Sequence, residues 1–380
     1  MSQTIFTHAR VVLPDEVVDG TVVVKDGRII EILDGAVTSA PAEDLEGDFL
    51  IPGLVELHTD HLESHYHPRP GVAWPAIPAV MAHDAQIAAA GITTVFDALR
   101  AGTFEPGDLS AQHARALSTA ISEAQRMGRL RADHFIHLRC ELPCPDTAQS
   151  ATMTAEAGPL HLISIMDHTP GARQFVSIEK FREYYTGKKL VLPEQMDAYI
   201  AERQAMQAKH AVANKRAILE LAQRLGVRLA SHDDATEAHV EEAIADGVSI
   251  AEFPTTGEAA RAAHRNGLAV LMGAPNVVRG KSHSGNISAA DVAASGHLDV
   301  LSSDYVPSSL LPAVFRLAET VPGMGLAQAM RTITLNPAQA AGLDDRGAIA
   351  PHRRADLVQV RLADGIPTVR RVWREGVRVM

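Results

Sequence analysis

A unit of helix, glycine and β-branched strand recurs along the middle of the chain: AAAGITTVFDAL, LAQRLGVRLASHDD, AIADGVSIAEFP, AAHRNGLAVLMGAP and AASGHLDVLSSD. Glycine readily takes the left-handed conformation that ends a helix, and an apolar run directly after it is the connection expected before a strand of a parallel sheet. With GLVELHTD, HFIHLRCEL and LHLISIMDH added, eight strands follow one another between residue 53 and about residue 345. Eight such units predict an α/β fold, a (β/α)8 TIM barrel, in which active-site groups sit at the C-terminal ends of the strands. The competing architecture, a doubly wound open sheet, requires a glycine-rich phosphate fingerprint after its first strand, and none stands there.

Outside that span the pattern is different. TIFTHARVVL and DGTVVVKDGRIIEIL, with Asp26-Gly27 as a hairpin turn, alternate short strands with turns, and so do ADLVQVRLADG and PTVRRVWREGVRVM near the other end. Neither end has enough apolar surface for a core of its own. Residues 1–52 and 350–380 are therefore expected to form one small composite β-sandwich domain, with residues 53–349 as a metal-dependent hydrolase barrel.

Charge and composition restrict the partners. A net charge of -11 argues against bulk attraction to nucleic acid or an anionic membrane, so an anionic ligand must be held locally. MSQTIFTHARVVLPDEVV lacks a basic stretch followed by an apolar one, and no run approaches the ~18 apolar residues of a membrane span. The expectation is a cytoplasmic enzyme acting on a small molecule, with neither nucleic acid nor membrane as partner and with a homo-oligomer left open. Cys140 and Cys144 alone make neither a disulfide framework nor a structural zinc site, and both read as buried thiols.

The predicted strand ends carry one kind of chemistry. They offer His58-Thr59-Asp60, Glu141, Asp167-His168, His232-Asp233-Asp234, Glu252 and Asp304. Residues i and i+2 of a strand share a face, so His58 and Asp60 are expected to point together into the barrel mouth, whereas His61, His65 and His67 read as loop or supporting residues. Imidazoles and carboxylates without thiolate suit Zn²⁺, Mn²⁺ or Fe²⁺. The donors exceed the needs of one ion, which points to two metals bridged by a carboxylate, roughly 3.5–4 Å apart. A second, basic set follows the strands: Arg69, Arg100, Arg173, Arg279 and Lys281, the last leading into Ser282-His283-Ser284. Guanidinium forks, hydroxyls and backbone amides suit phosphate oxygens.

IPGLVELH, GITTV, the fifth-strand histidine His232, the eighth-strand aspartate Asp304 and TLNPAQAAGLDDRGAIA together resemble the amidohydrolase superfamily over nearly the whole chain. LVELHTD with HPRPGVAWPA, HLRCELP, MDHTPGARQF, YYTGKK, SHDDAT, EFPT, RGKSHSGN and LSSDYVPSSLL narrow the resemblance to amidohydrolases of the carbon-phosphorus lyase pathway. The resemblance implies hydrolysis of α-D-ribose 1-methylphosphonate 5-triphosphate to the 5-phosphate and diphosphate. It also implies a divalent metal centre, two Zn²⁺ with Mn²⁺ or Fe²⁺ as alternatives. The chain departs from the superfamily in having His-Thr-Asp where His-x-His is usual, Glu252 where the sixth strand usually offers histidine, and PHRRADLV without the common glycine. The ligand set that follows is His58, Asp60, Glu141, His168, His232 and Asp304, with Glu141 as the bridge and Glu252 in reserve. In the implied reaction a metal-activated water attacks the α-phosphorus, Asp304 takes its proton, and the basic residues hold the departing diphosphate. A cyclic amidase or sugar-phosphate deacetylase on the same scaffold, and a non-catalytic assembly subunit, are the alternatives.

Overall fold

The computed structural model describes residues 3–37, 41–104, 111–174, 177–187, 191–280 and 286–380. The N-terminal segment forms β1 (Gln3–Val12), β2 (Val17–Lys25), β3 (Arg28–Asp34), β4 (Glu43–Asp44) and β5 (Phe49–Pro52). Asp26 and Gly27 between β2 and β3 both have positive φ, 51° and 77°, which is the two-residue turn whose twist matches paired strands.

The eight central apolar runs become strands in the order of the sequence. These are β6 (Leu54–Thr59), β7 (Ile92–Ala101), β8 (Asp133–Glu141), β9 (Leu160–Met166), β10 (Arg228–His232), β11 (Ile250–Glu252), β12 (Ala269–Gly273) and β13 (Val300–Ser302). Each pairs in parallel with its neighbour in sequence. The outer two then meet, because Thr59 bridges Asp304 in parallel register and its Oγ1 donates to the Asp304 carbonyl at 2.8 Å. A parallel sheet whose first and last strands join has no edge left to cover and is a barrel. Val55, Leu57, Phe96, Leu162, Ala230, Ile250, Leu271 and Val300 fill its interior.

The C-terminal strands are β14 (Leu357–Ala363), β15 (Ile366–Arg374) and β16 (Val377–Arg378). β14 lies antiparallel to β5, so both chain ends share one hydrogen-bonded sheet in the order β16-β15-β14-β5-β1-β2-β3, with β4 beside β1. The sheet is mainly antiparallel, although β1 runs parallel to β4 and β5. Strand alternation serves two faces. Leu50 and Leu357 join Phe6, Val22, Ile29 and Trp373 in the sheet's own core, while their neighbours Phe49, Ile51 and Val358 pack into the apolar layer around the barrel. Phe6 and Trp373, from opposite ends of the chain, meet edge to face at 4.7 Å between ring centres. Cys140 and Cys144 are buried free thiols. Among the described residues no helix is long and apolar enough to cross a membrane.

Candidate active site

Asp233, Phe253 and Asp304 stand just after β10, β11 and β13, and all three have positive φ, 58°, 53° and 54°. Non-glycine residues are strained in that region, and such strain gathers at functional sites. All three line one cavity of about 160 Å³ at the strand C-termini, together with His58, His168, His232 and Arg139.

At its base lies a buried donor set. His58 Nδ1 is 3.1 Å from Glu252 Oε1, and His232 Nδ1 is 3.2 Å from Glu252 Oε2. Asp233 Oδ2 lies 3.5 Å from His168 Nε2 and 3.6 Å from His232 Nε2. His58 Nδ1, Glu252 Oε1 and Asp233 Oδ2 are nevertheless buried without a hydrogen-bond partner. Glu252 Oε2 is hydrogen-bonded to His232 Nδ1 and accepts from Ser164 Oγ at 2.6 Å, but the three unpartnered atoms converge with the remaining donors as a shared cation would require, and the donor types fit a divalent metal. His58, His232 and Glu252 form one such group, and His168, His232 and Asp233 form another, with His232 common to both.

The protonation pattern follows from the packing. Burial alone would raise the Glu252 carboxyl, but the imidazoles of His58, His137 and His232 overcome it and hold the group well below the ordinary range. Burial pushes Asp304 up, and the nearby charge of Asp60 adds to the shift. Burial also lowers His137 to about 3, so this ring stays neutral while Nδ1 faces the Leu57 carbonyl at 2.9 Å.

His58 reaches the cavity by an irregularity. Leu57 packs in the barrel interior while His58, next to it, lines the mouth, and adjacent residues of a regular strand cannot share a side. The register of β6 against β7 shifts between Glu56 and Thr59, which resolves the conflict. The buried Glu56 carboxylate secures that segment. It accepts from the His58 backbone N–H at 2.6 Å, from Ser302 Oγ at 2.8 Å and from the Ser303 N–H at 2.6 Å, joining β6 to the strand that carries Asp304.

The remaining expected ligands are placed differently. Asp60 lies beyond the end of β6, partly exposed, with Oδ2 3.3 Å from Arg139. Glu141 is outside both donor groups because both its oxygens serve His168: Oε1 accepts from the backbone N–H at 2.9 Å and Oε2 faces Nδ1 at 2.5 Å. Burial opposes ionisation of Glu141, yet the charges of His168 and Arg100 bring it down to about 2. Conversely, burial would lower His168, while Glu141 and Asp233 raise it to about 10. In this structure both Glu141 oxygens face His168 and hold its orientation.

The described basic residues have different surroundings. Arg173 is consumed by ion pairs to Asp234 and, at 2.7 Å, to Glu242. Arg69 and Arg279 are exposed. Lys281, Ser282, His283 and Ser284 lie outside the described residues. Arg100 stands 4.0 Å from Glu141 Oε2 and lines a neighbouring cavity with Arg139 and Arg203.

Sequence reasoning passed over Arg139 and Arg203, and it named Asp233 among the strand-end acids without taking it into the ligand set. Arg139 was within reach of the parity rule, since it precedes Glu141 by two positions on β8. Asp233 was not, because only its left-handed backbone returns it to the side of His232.

An amidohydrolase family model matches residues 49–380. The chain is 46% identical to the α-D-ribose 1-methylphosphonate 5-triphosphate diphosphatase of Escherichia coli strain K12, over 99% of this chain and 100% of the relative. Among solved structures it resembles N-acetyl-D-glucosamine-6-phosphate deacetylase from Mycobacterium smegmatis, with a TM-score of 0.65 at 19% identity, covering 99% of this chain and 100% of that one. It also resembles N-isopropylammelide isopropylaminohydrolase from Burkholderia multivorans ATCC 17616, with a TM-score of 0.66 at 17% identity, covering 100% and 98%. These two likenesses concern the fold. Barrel, terminal sheet, family model and full-length relative agree: the chain belongs to the amidohydrolase family.

Proposed function

We propose that this protein hydrolyses α-D-ribose 1-methylphosphonate 5-triphosphate to the 5-phosphate and diphosphate, as part of phosphonate breakdown in the cytoplasm. The observation that carries the reading is the donor set at the barrel mouth, with three buried atoms lacking a hydrogen-bond partner, in a chain 46% identical to a relative named for that activity. His58, His232 and Glu252 would hold one divalent cation, and His168, Asp233 and the shared His232 a second. Two Zn²⁺ suit this chemistry, with Mn²⁺ or Fe²⁺ as alternatives. Bound there, divalent cations supply a lowered pKa for water and positive charge against phosphoryl oxygens.

The chain's own residues supply the remainder. Asp304, poised at the cavity with a raised pKa, accepts the proton of the attacking water. As the water oxygen bonds to the α-phosphorus, the α,β-bridging P–O bond breaks and its electron pair leaves with the diphosphate. Arg139 faces the same cavity and offsets charge on the phosphoryl oxygens. Glu141 keeps His168 in one orientation through two hydrogen bonds.

The test combines metal analysis with a diphosphate-release assay on the triphosphate. The expected result is divalent metal bound in stoichiometric amount and release of one diphosphate per turnover. A fully metallated enzyme that releases none would overturn the proposal.

A further inference from the structure

Two histidines that follow β6 stand outside the donor groups at the mouth. His61 precedes the short helix Leu62–Tyr66 and His65 lies in its last turn, while His83 is on the helix Ala76–Ala89 packed against it. Residues at i and i+4 share one face of a helix, the spacing at which two imidazoles chelate one ion. The ring centres of His61 and His65 are 5.1 Å apart, and each is 5.9 Å from that of His83. None of the three lines the mouth cavity.

Their hydrogen bonds leave lone pairs unused. His83 is fully buried, with Nε2 2.8 Å from Asp97 Oδ1. Burial opposes ionisation of Asp97, but the charge of His134 leads the groups that bring it down to about 2, so this carboxylate only accepts. Burial also pushes the pKa of His83 down, which keeps its ring neutral. The single ring proton therefore sits on Nε2, and Nδ1 is a bare lone pair, buried and without a hydrogen-bond partner. His65 repeats the arrangement, its Nε2 3.2 Å from Gln86 Oε1, an amide oxygen that also only accepts. His61 Nε2 is buried and unpartnered as well.

An imidazole held at its far nitrogen by a carboxylate or carbonyl, with the near nitrogen unbonded, is the form in which proteins present histidine to a metal. With a Zn–N bond of about 2.0–2.1 Å, tetrahedral imidazole ligands have ring centres roughly 5 Å apart, close to the spacing of these rings. Their donor atoms are less drawn together than those of the mouth. His61 and His65 are only partly buried, and the outer torsion of histidine turns broadly, so these two rings can close on an ion while His83 keeps its bond to Asp97. Nitrogen donors alone suit Zn²⁺ and not Mg²⁺ or Ca²⁺, which take oxygen.

We infer that His61, His65 and His83 form a zinc site separate from the catalytic centre, clasping the segment after β6 to the helix Ala76–Ala89. Three protein ligands leave the fourth position to water, whereas structural zinc sites are closed by four, so this ion should exchange with free zinc. Asp97 and Gln86 are its positioning residues.

The experiment titrates Zn²⁺ into the protein and counts bound zinc by elemental analysis after equilibrium dialysis. The wild type should take up one Zn²⁺ beyond those at the mouth, and its unfolding midpoint should rise with free zinc. His65→Ala, at a partly exposed position, should bind this ion more than about a hundredfold more weakly, and His61→Ala should do the same, which serves if one variant does not fold. His232→Ala, which removes the donor common to both mouth groups, should keep it. Retention of the extra zinc within about tenfold of wild-type affinity in both His61→Ala and His65→Ala, or its disappearance in His232→Ala, would overturn the assignment. Zinc uptake is read without turnover, so the outcome is independent of the proposed reaction.

Discussion

Among the described residues two clusters of histidine and carboxylate lie in this barrel, and they differ in whether they face a cavity. At the mouth, His58, His232, Glu252, His168 and Asp233 approach one another at 3.1–3.6 Å, leave donor atoms unbonded and face a cavity. On the barrel's flank, between the helix Ala76–Ala89 and strands β7 and β8, His83, Asp84, Asp97 and His134 are buried as well and bond to one another, with His83 Nδ1 left without a partner, but they stand apart from the cavity at the mouth. Asp97 meets His83 at 2.8 Å and His134 at 2.7 Å, and His134 also reaches Asp84 at 3.3 Å. Asp84 accepts in addition from the backbone N–H groups of Arg131 and Ala132. The same residue types can hold a cation or join elements together, and the mouth is set apart by the cavity it faces.

The largest effects should come from breaking the mouth. Asp304→Asn removes the proton acceptor and keeps the shape, so turnover should fall by roughly a thousandfold or more while the unfolding midpoint stays near that of the wild type. Glu252→Gln should lower both turnover and metal content, since Glu252 faces both His58 and His232. Diphosphate release, metal analysis and thermal unfolding measure these outcomes. Near-normal turnover in Asp304→Asn would remove it from proton transfer.

The flank should answer in the opposite way. Asp97→Asn leaves His134 and His83 facing an amide in place of a charge, in a site with 0% exposure of the aspartate. Breaking a buried ion pair on one side costs roughly 3–5 kcal/mol. The expected result is a large loss in denaturant unfolding with kcat/KM of the remaining folded enzyme nearly unchanged. A selective loss of activity at full stability would erase the distinction between the clusters.

How much of this the sequence disclosed varies with the physics that sets each feature. The eight strands were legible because Gly91, Gly226, Gly247, Gly267 and Gly296 each precede an apolar run, and that alternation is local. The sharing of one sheet by both ends was legible because each end alone lacked a core. The mouth was legible as a position, the strand C-termini, but not as a bonding pattern. Parity assumes regular strands, whereas His58 arrives through a register shift and Asp233 through a left-handed backbone. Burial and partners likewise decide between similar arginines: Arg173 is neutralised by Asp234 and Glu242, and Arg203 lines a cavity. His83 and His134 lay on a helix and on the outward face of a strand, and no short spacing links them to Asp97.

A pH series sharpens the contrast at a smaller scale. Burial disfavours a charged His134, yet Asp97 and Asp84 raise its pKa to about 9 from 6.5. A pKa raised in the folded state stabilises below the unfolded value and ceases to do so as pH climbs through the folded one. This contribution should therefore be complete below pH ~6.5 and mostly lost by pH ~9, a loss on the order of 3 kcal/mol in wild-type unfolding free energy. His134→Gln should start less stable and show a flatter profile across that window. An identical slope in both proteins would mean that His134 is not the group that titrates.

The smallest effect tests whether the flank is held from within. Arg131 NH1 lies 3.0 Å from Asp84 Oδ2, but its side chain is 44% exposed, so water screens the pair and removal of an exposed partner costs at most about 1 kcal/mol. Arg131→Ala leaves Asp84 with the N–H groups of residue 131 at 2.8 Å and of Ala132 at 3.0 Å, as well as His134. Urea unfolding should register a loss of about 0.5 kcal/mol, shrinking further in high salt, with turnover unaltered. A loss as large as that of Asp97→Asn would place the stabilising charge at the surface, and the flank would then owe its stability to its arginine rather than to the mutual bonding of its buried histidines and acids.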